Sequence, residues 1–321
     1  MMSFLFPGQG SQAPGMGKFL YDEFKIARET FEEASDAINL NLKKLCFTES
    51  PEVLSLTENT QPALLTVSTA TARVLQTQFG AKPSLTAGHS VGEYASFVLG
   101  GVISLPQAVK AVRLRGQSMQ AAVPVGQGGM TAALGLDEAQ VQFLCRWTIE
   151  QSGYAPLSPA NYNCPGQIVI SGKLDALNWL KANFKPEILP GEAKRAKLIS
   201  LQVSAPFHCE MMKPAELAMQ KFLNAVTFNN SKIPIIQNVH AQLETDATVL
   251  KTNIIKQISA PVRWTQSMQT LKDQHQALAI EVGHGTVLKG LLKKIDAEFF
   301  KVYSTNSLDD LKAIESLSAR A

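Results

Sequence analysis

The segment Gly88-His89-Ser90-Val91-Gly92 constrains this chain more than any other stretch. Two glycines bracketing a serine at this spacing suit a sharp strand-to-helix turn, in which close backbone approach holds the serine hydroxyl out at the end of a sheet. The flanks agree: Leu85 to His89 is an apolar approach compatible with a strand, and Glu93 to Leu99 is compatible with a helix. Such a serine stands at a helix N-terminus, where backbone N–H groups can stabilise an oxyanion. The pentapeptide alone is equally compatible with a plain loop between a strand and a helix.

The remaining patterning is that of an α/β protein with a largely parallel sheet. Met2 to Phe6 reads as a buried strand, Lys18 to Ile38 as one amphipathic helix, Pro62 to Gln78 as a helix with Pro62 near its first turn, and Pro106 to Ala121 as another helix. The glycine cluster Gly126-Gln127-Gly128-Gly129 breaks this texture. After it come Met130 to Gly135 (strand), Glu138 to Glu150 (helix), Gln167 to Ser171 (strand), Leu174 to Asn183 (helix) and Lys197 to Val203 (strand), a compact β-α-β-α-β insertion. Helices at Met211 to Ala225, Asp246 to Gln257 and Val262 to Leu271 follow, then a strand at Ala277 to Val282. The expected organisation is one larger domain from 1–125 and 203–321, interrupted by a small subdomain at 126–202.

Composition excludes several classes. With 321 residues, 45% hydrophobic and 18% charged, the chain can bury a sizeable core and is unlike disordered sequences. A net charge of +3 with scattered Lys and Arg carries no nucleic-acid footprint. Two short basic groups, Lys194-Arg195-Ala196-Lys197 and Lys293-Lys294, read as solvated surface or as contacts for a phosphate-bearing or acidic partner. Cys46, Cys145, Cys164 and Cys209 lack metal-site or disulfide-framework spacing, which fits a reducing cytosol. The apolar start lacks a basic n-region and runs into Pro7-Gly8, and no apolar run reaches the roughly 18 residues of a membrane span. A cytoplasmic protein without membrane or nucleic-acid partners is expected. Gly8-x-Gly10-x-x-Ala13 meets a relaxed dinucleotide-binding pattern, but Pro14 interrupts the segment that should open the helix. Phe31 to Ile38 also reads as helix where a strand ending in a ribose-binding acid is required.

Arg115 bears on the ligand. On the Pro106 to Ala121 helix it follows Ala111 by four and Val112 by three and precedes Met119 by four, so it lies along an apolar stripe, whereas Arg113 is about 200° round the helix. A guanidinium on a buried face needs an anion. That anion is either one of the protein's own carboxylates or a group carried by a ligand. A serine nucleophile also needs a base, for which histidine is suited. Five histidines compete: His89 is placed to orient the turn, His240 and His275 sit in polar stretches expected to be exposed, His284 is a possible site-lining residue, and His208 follows Pro206-Phe207.

Several ordered segments together carry a resemblance. Phe6-Pro7-Gly8-Gln9-Gly10-Ser11-Gln12, Thr60-Gln61-Pro62-Ala63-Leu64 and Gly88-His89-Ser90-Val91-Gly92-Glu93-Tyr94 are three of them. Val123-Pro124-Val125-Gly126 with Gly129-Met130, Asn161-Tyr162-Asn163-Cys164-Pro165-Gly166-Gln167, Val203-Ser204-Ala205-Pro206-Phe207-His208 and Glu281-Val282-Gly283 complete the set. Over nearly its whole length the chain resembles the malonyl-CoA:acyl carrier protein transacylases of fatty acid synthesis, an acyltransferase family shared with polyketide synthases. The resemblance implies a large α/β-hydrolase-like domain with a short parallel sheet and an inserted small ferredoxin-like subdomain. It implies Ser90 and His208 as a catalytic dyad, with the imidazole held by the backbone carbonyl of Gln257 and not by an acid. It also implies an oxyanion hole from the backbone N–H groups of Gln9 and Val91, Arg115 as the grip on the malonate carboxylate, and Phe207 and Val91 as residues suited to malonyl over bulkier acyl units. The expected reaction is ping-pong transfer of malonyl from malonyl-CoA to the phosphopantetheine thiol of acyl carrier protein, by a monomer that uses substrates and no metal or other cofactor. An acyl hydrolase on the same scaffold, a polyketide trans-acting acyltransferase and a catalytically silent carrier-docking subunit are the alternatives. The chain departs from the pattern at Gly283-His284-Gly285, where the bacterial enzymes usually show Pro for His284, and at Cys145 to Ala160, which looks longer than the usual loop.

Overall fold

The computed structural model describes residues 1–191, 196–203 and 205–318. Lys194 and Arg195 of the first basic group and Ser204 of the segment leading to His208 lie outside the described residues. The strands are Met2–Phe6 (β1), Pro83–Gly88 (β2), Gly128–Leu134 (β3), Leu157–Cys164 (β4), Gln167–Lys173 (β5), Lys197–Ser200 (β6), Ile235–Ile236 (β7), Leu243–Glu244 (β8), Leu278–Glu281 (β9) and Lys301–Tyr303 (β10). They form two sheets.

The larger sheet has the order β10-β9-β1-β2-β7-β8, parallel throughout except for the β7/β8 pair. β1 lies inside it, every residue buried, as expected for a parallel strand covered on both faces. The Thr57–Gln78 helix is buried along most of its length and starts five residues earlier than Pro62 suggests, so Pro62 is internal. A proline there cannot donate to the carbonyl of Glu58. Arg113 supplies the missing donor, its Nη1 lying 2.7 Å from that oxygen. The expected single helix from Lys18 to Ile38 is instead two, Lys18–Glu23 and Lys25–Ile38, separated by an extended Phe24 whose ring packs edge-on against Phe79. Tertiary packing overrides helix propensity at that residue.

The second sheet is antiparallel, ordered β4-β5-β3-β6, and carries the Glu138–Ser152 and Leu174–Asn183 helices. Its chain order is β-α-β-β-α-β, one strand more than the sequence pattern suggests. β4 contains Pro159, Asn161 and Asn163, and its pairing shifts register twice, which hides the alternation of a strand. Much of Cys145 to Ala160 is therefore not loop: the helix runs to Ser152 and β4 starts at Leu157. The strand expected from Lys197 to Val203 ends at Ser200, leaving Leu201 and Val203 to line the site described below. β7, β8 and β10 have two or three residues each, too short to show a period. Among the described residues no helix is long and apolar enough to cross a membrane.

Candidate active site

The end of β2 turns directly into the Gly92–Leu99 helix, and Ser90 sits in the turn with a left-handed backbone (φ 52°), a strained conformation for a non-glycine residue. Both glycines of the motif are needed for close packing. A Cβ on Gly88 would stand 2.0 Å from the Gly92 carbonyl carbon, and one on Gly92 would stand 2.2 Å from the Phe6 oxygen. Asn238, which follows β7, clamps the turn from below: its Oδ1 accepts from the Ser90 N–H at 2.7 Å and its Nδ2 donates to Gly88 O at 2.7 Å.

Ser90 Oγ lies 2.8 Å from His208 Nε2, and His208 Nδ1 lies 2.8 Å from the backbone oxygen of Gln257. A carbonyl can only accept, so Nδ1 carries the proton and Nε2 is free to take one from the serine. Gln257 can offer this carbonyl because it caps the C-terminus of the Ala247–Lys256 helix, where carbonyls lack intrahelical partners. His208 also has a left-handed backbone (φ 59°) and is buried. Burial first, then the nearby Arg115 charge, press its pKa from 6.5 to about 3, against the opposing pull of the Gln257 carbonyl. The imidazole is therefore unprotonated, as a base must be.

Arg115 is buried at 1% exposure on the Leu105–Ala121 helix. Its Nη1 donates to Gln61 Oε1 (2.9 Å), and its Nη2 to Gln257 Oε1 (2.9 Å) and to Ser90 Oγ (3.1 Å). Its Nε is buried without a hydrogen-bond partner, and among the described residues no carboxylate forms an ion pair with it. The protein's own carboxylates thus leave this guanidinium without a direct counter-ion. Arg113, by contrast, is bonded to Asn59 Oδ1 as well as to Glu58 O and stands 3.6 Å from the Glu58 carboxylate.

A cavity of about 170 Å³ opens over these groups, lined among others by Gln9, Ser90, Val91, Arg115, Phe207 and His208. Among the described residues the N–H groups of Gln9 and Val91 have no hydrogen-bond partner. The part of the wall that the antiparallel sheet and the segment leaving it supply combines apolar Met130, Val169, Leu201 and Val203 with Asn161 and Asn163 of β4. The structure therefore brings together Gln9, Ser90, Val91, Arg115, Phe207, His208 and Gln257. His284 does not line this cavity, contrary to the expectation for it; it is half-buried near the end of β9. His275 is exposed as expected, but His240 is half-buried and hydrogen-bonded to Asn253 (2.8 Å), because the β7–β8 turn folds back onto the Ala247–Lys256 helix. His89 is held by Asn163 Oδ1 (2.9 Å) and lies against Trp264, so it braces the turn and does not reach Ser90 Oγ.

Gln61, Glu93, Asn163 and Asn238 belong to the site but stand out in no single-residue pattern. Gln61 and Asn163 fall in segments that carry the family resemblance, and Glu93 follows the elbow directly; Asn238 has no sequence signal at all.

An α/β fold with a serine elbow, a neutral histidine and a buried arginine around one cavity is that of an acyltransferase, and the chain belongs to the acyl transferase domain family, whose match runs over residues 3–306. Within it, the chain groups with the malonyl CoA-acyl carrier protein transacylases. The protein of that name from Salmonella typhimurium is 43% identical over 293 residues, covering 91% of this chain and 92% of the relative. The Bacillus subtilis protein is 40% identical over 314 residues, covering 98% and 95%. A solved malonyl-transacylase in complex with its type II polyketide acyl-carrier protein superposes with a TM-score of 0.91 at 37% identity, covering 98% of this chain and 99% of the other.

Proposed function

We propose that this enzyme moves a malonyl group from malonyl-CoA to the phosphopantetheine thiol of an acyl carrier protein through a malonyl ester on Ser90. The observation that carries this reading is Arg115: a fully buried guanidinium without a carboxylate partner, 3.1 Å from the serine hydroxyl, is suited to an acyl group that brings its own carboxylate. His208 Nε2 takes the Ser90 proton as Oγ attacks the thioester carbonyl. The free N–H groups of Gln9 and Val91 receive the oxyanion. When the intermediate collapses the C–S bond breaks, and His208 returns its proton to the leaving CoA thiolate. The carrier thiol then attacks the serine ester, giving its proton to His208, which passes it to Ser90 as the C–O bond breaks. Phe207 on the cavity wall favours malonyl over branched units. The reaction needs two substrates and only these side chains for its proton transfers. A cytoplasmic monomer with a small ferredoxin-like subdomain at 126–202 completes the proposal, the subdomain supported by the separate antiparallel sheet within those limits.

The test is incubation with malonyl-CoA alone and then with a phosphopantetheinylated carrier protein, followed by intact mass. A malonyl adduct on the enzyme, discharged to the carrier on its addition, is expected. Release of free malonate with no acylated carrier would make the chain a hydrolase, and no adduct at all would make it catalytically silent.

The burial of His208 gives a pH signature. Below its pKa the imidazole binds a proton and ceases to be a base, so a value near 3 keeps the base available through the whole neutral and mildly acid range. The rate of malonyl-serine formation should stay level as pH falls through 6.5. A loss of rate centred on 6.5 in stopped-flow acylation would mean that His208 is solvated as the reaction occurs.

A further inference from the structure

Glu93 is a carboxyl group with no exposed surface, one helical turn beyond Ser90, and it takes no part in the chemistry described above. Both of its oxygens accept from N–H donors. Oε1 accepts from the backbone N–H of Asn238 (2.9 Å), and Oε2 accepts from the side-chain amide of Gln257. Each of those residues reaches the reacting groups. Asn238 clamps Ser90 N and Gly88 O; Gln257 donates also to Ser90 O (3.0 Å) and accepts from Arg115 Nη2 (2.9 Å) through Oε1.

The amide of Gln257 could be placed either way round, since its oxygen and nitrogen have the same shape. Its partners agree on one setting: Ser90 O can only accept, the Arg115 guanidinium can only donate, and Glu93 Oε2 is a second acceptor on the NH2 side. An acceptor at Oε2 requires the NH2 of Gln257 to face it, and the amide oxygen must then face Arg115. Turned round, the amide would set its NH2 against the guanidinium, donor against donor, and the arginine would lose the contact that aims it at Ser90. We propose that Glu93 is a positioning residue for acyl-group selectivity: by bracing the Gln257 amide from behind, together with Ser90 O, it holds Arg115 where a carboxylate on the acyl group can be gripped. This rests on the malonyl-transfer reading above and adds to it a residue outside the cavity wall.

Glu93→Gln tests it with almost no change in volume. A glutamine presents one acceptor and one donor to partners that are both N–H donors, so either the Asn238 contact fails or Gln257 must turn. Initial rates are to be measured with malonyl-CoA and with acetyl-CoA, which lacks the carboxylate, for wild type and for the variant. Displacing the guanidinium by about an ångström is expected to lower kcat/KM for malonyl-CoA roughly 10-fold to 100-fold, chiefly through KM, with acetyl-CoA changed less than about threefold. Equal losses on both donors would reduce Glu93 to a structural residue and overturn the proposal, as would an unchanged malonyl-to-acetyl ratio. If Glu93→Gln does not fold, Glu93→Asp carries the test, because it keeps the carboxyl but draws it back by one methylene from the Gln257 amide; the same selective loss is expected and an equal loss on both donors is again decisive against it. Malonyl transfer by the wild type is the internal control: its absence sinks the functional reading, whereas its presence with unaltered selectivity in the variant sinks only the role of Glu93.

Discussion

Replacing Ser90 by alanine is expected to remove the malonyl adduct and to cut transfer on the order of 10⁴-fold or more, and replacing His208 as well should cost little further. The reason is geometric. Ser90 Oγ and His208 Nε2 share one hydrogen bond, so the base has nothing to deprotonate once the hydroxyl is gone, and the hydroxyl is a poor nucleophile without the base. Losses at two residues that act as a unit do not add. Rates for Ser90→Ala, His208→Ala and the double variant, with intact mass after exposure to malonyl-CoA, make the check. A His208→Ala enzyme retaining more than about a tenth of the rate would show that another group takes the proton. Costs that multiply in the double variant would show that the two residues act independently.

The second large effect falls on Arg115. Removing its guanidinium leaves a bound malonyl carboxylate buried without its partner, a change of about 3–4 kcal/mol, which corresponds to roughly 10²-fold to 10³-fold in kcat/KM for malonyl-CoA. Acetyl-CoA has no carboxylate to lose, so Arg115→Ala should close the gap between the two donors and not slow both. Lysine should be a poor replacement: Arg115 is held between Gln61 and Gln257 by separate nitrogens, and a point charge cannot occupy that fork and still present a donor to the acyl group. Parallel rate measurements on the alanine and lysine variants with both donors would settle it. An alanine variant that keeps its malonyl preference would refute the assignment of Arg115 and, with it, the choice of substrate.

The parts of this site differ in how far a sequence discloses them. The elbow at Ser90 is legible because backbone geometry demands glycine on both sides, and geometry demanded of the backbone leaves a mark on residue type. Arg115 is legible by its phase on a helix, and its burial and the relegation of Arg113 to a carbonyl and a surface carboxylate agree with that phase. No pattern separates His208 from the other histidines; only the family resemblance singles it out. Gln257 contributes a main-chain oxygen, which any residue at that helix end would possess. Asn238 is invisible for another reason: its two partners are backbone groups of Gly88 and Ser90, about 150 residues away in sequence, and β7 beside it is only two residues long. In the fold, the parallel sheet around β1 is apparent from the alternation of strand-like and helix-like segments and from a mostly apolar β1 interrupted only by Ser3, whereas β4 is concealed by a proline, two asparagines and two register shifts.

The walls of the cavity come from two sources, and the division has a consequence for how such an enzyme can diversify. Ser90, Arg115, His208 and Gln257 all hang from elements around the parallel sheet, while Met130 and Val169 come from the antiparallel one, with Leu201 and Val203 on the strand-end that leaves it. Reactivity and capacity are thereby inherited separately. Exchanging a methionine for an alanine on the far wall enlarges the room for an acyl chain without touching a hydrogen bond of the dyad, so the range of acyl groups admitted can drift by single substitutions while the bond-making apparatus stays as it is.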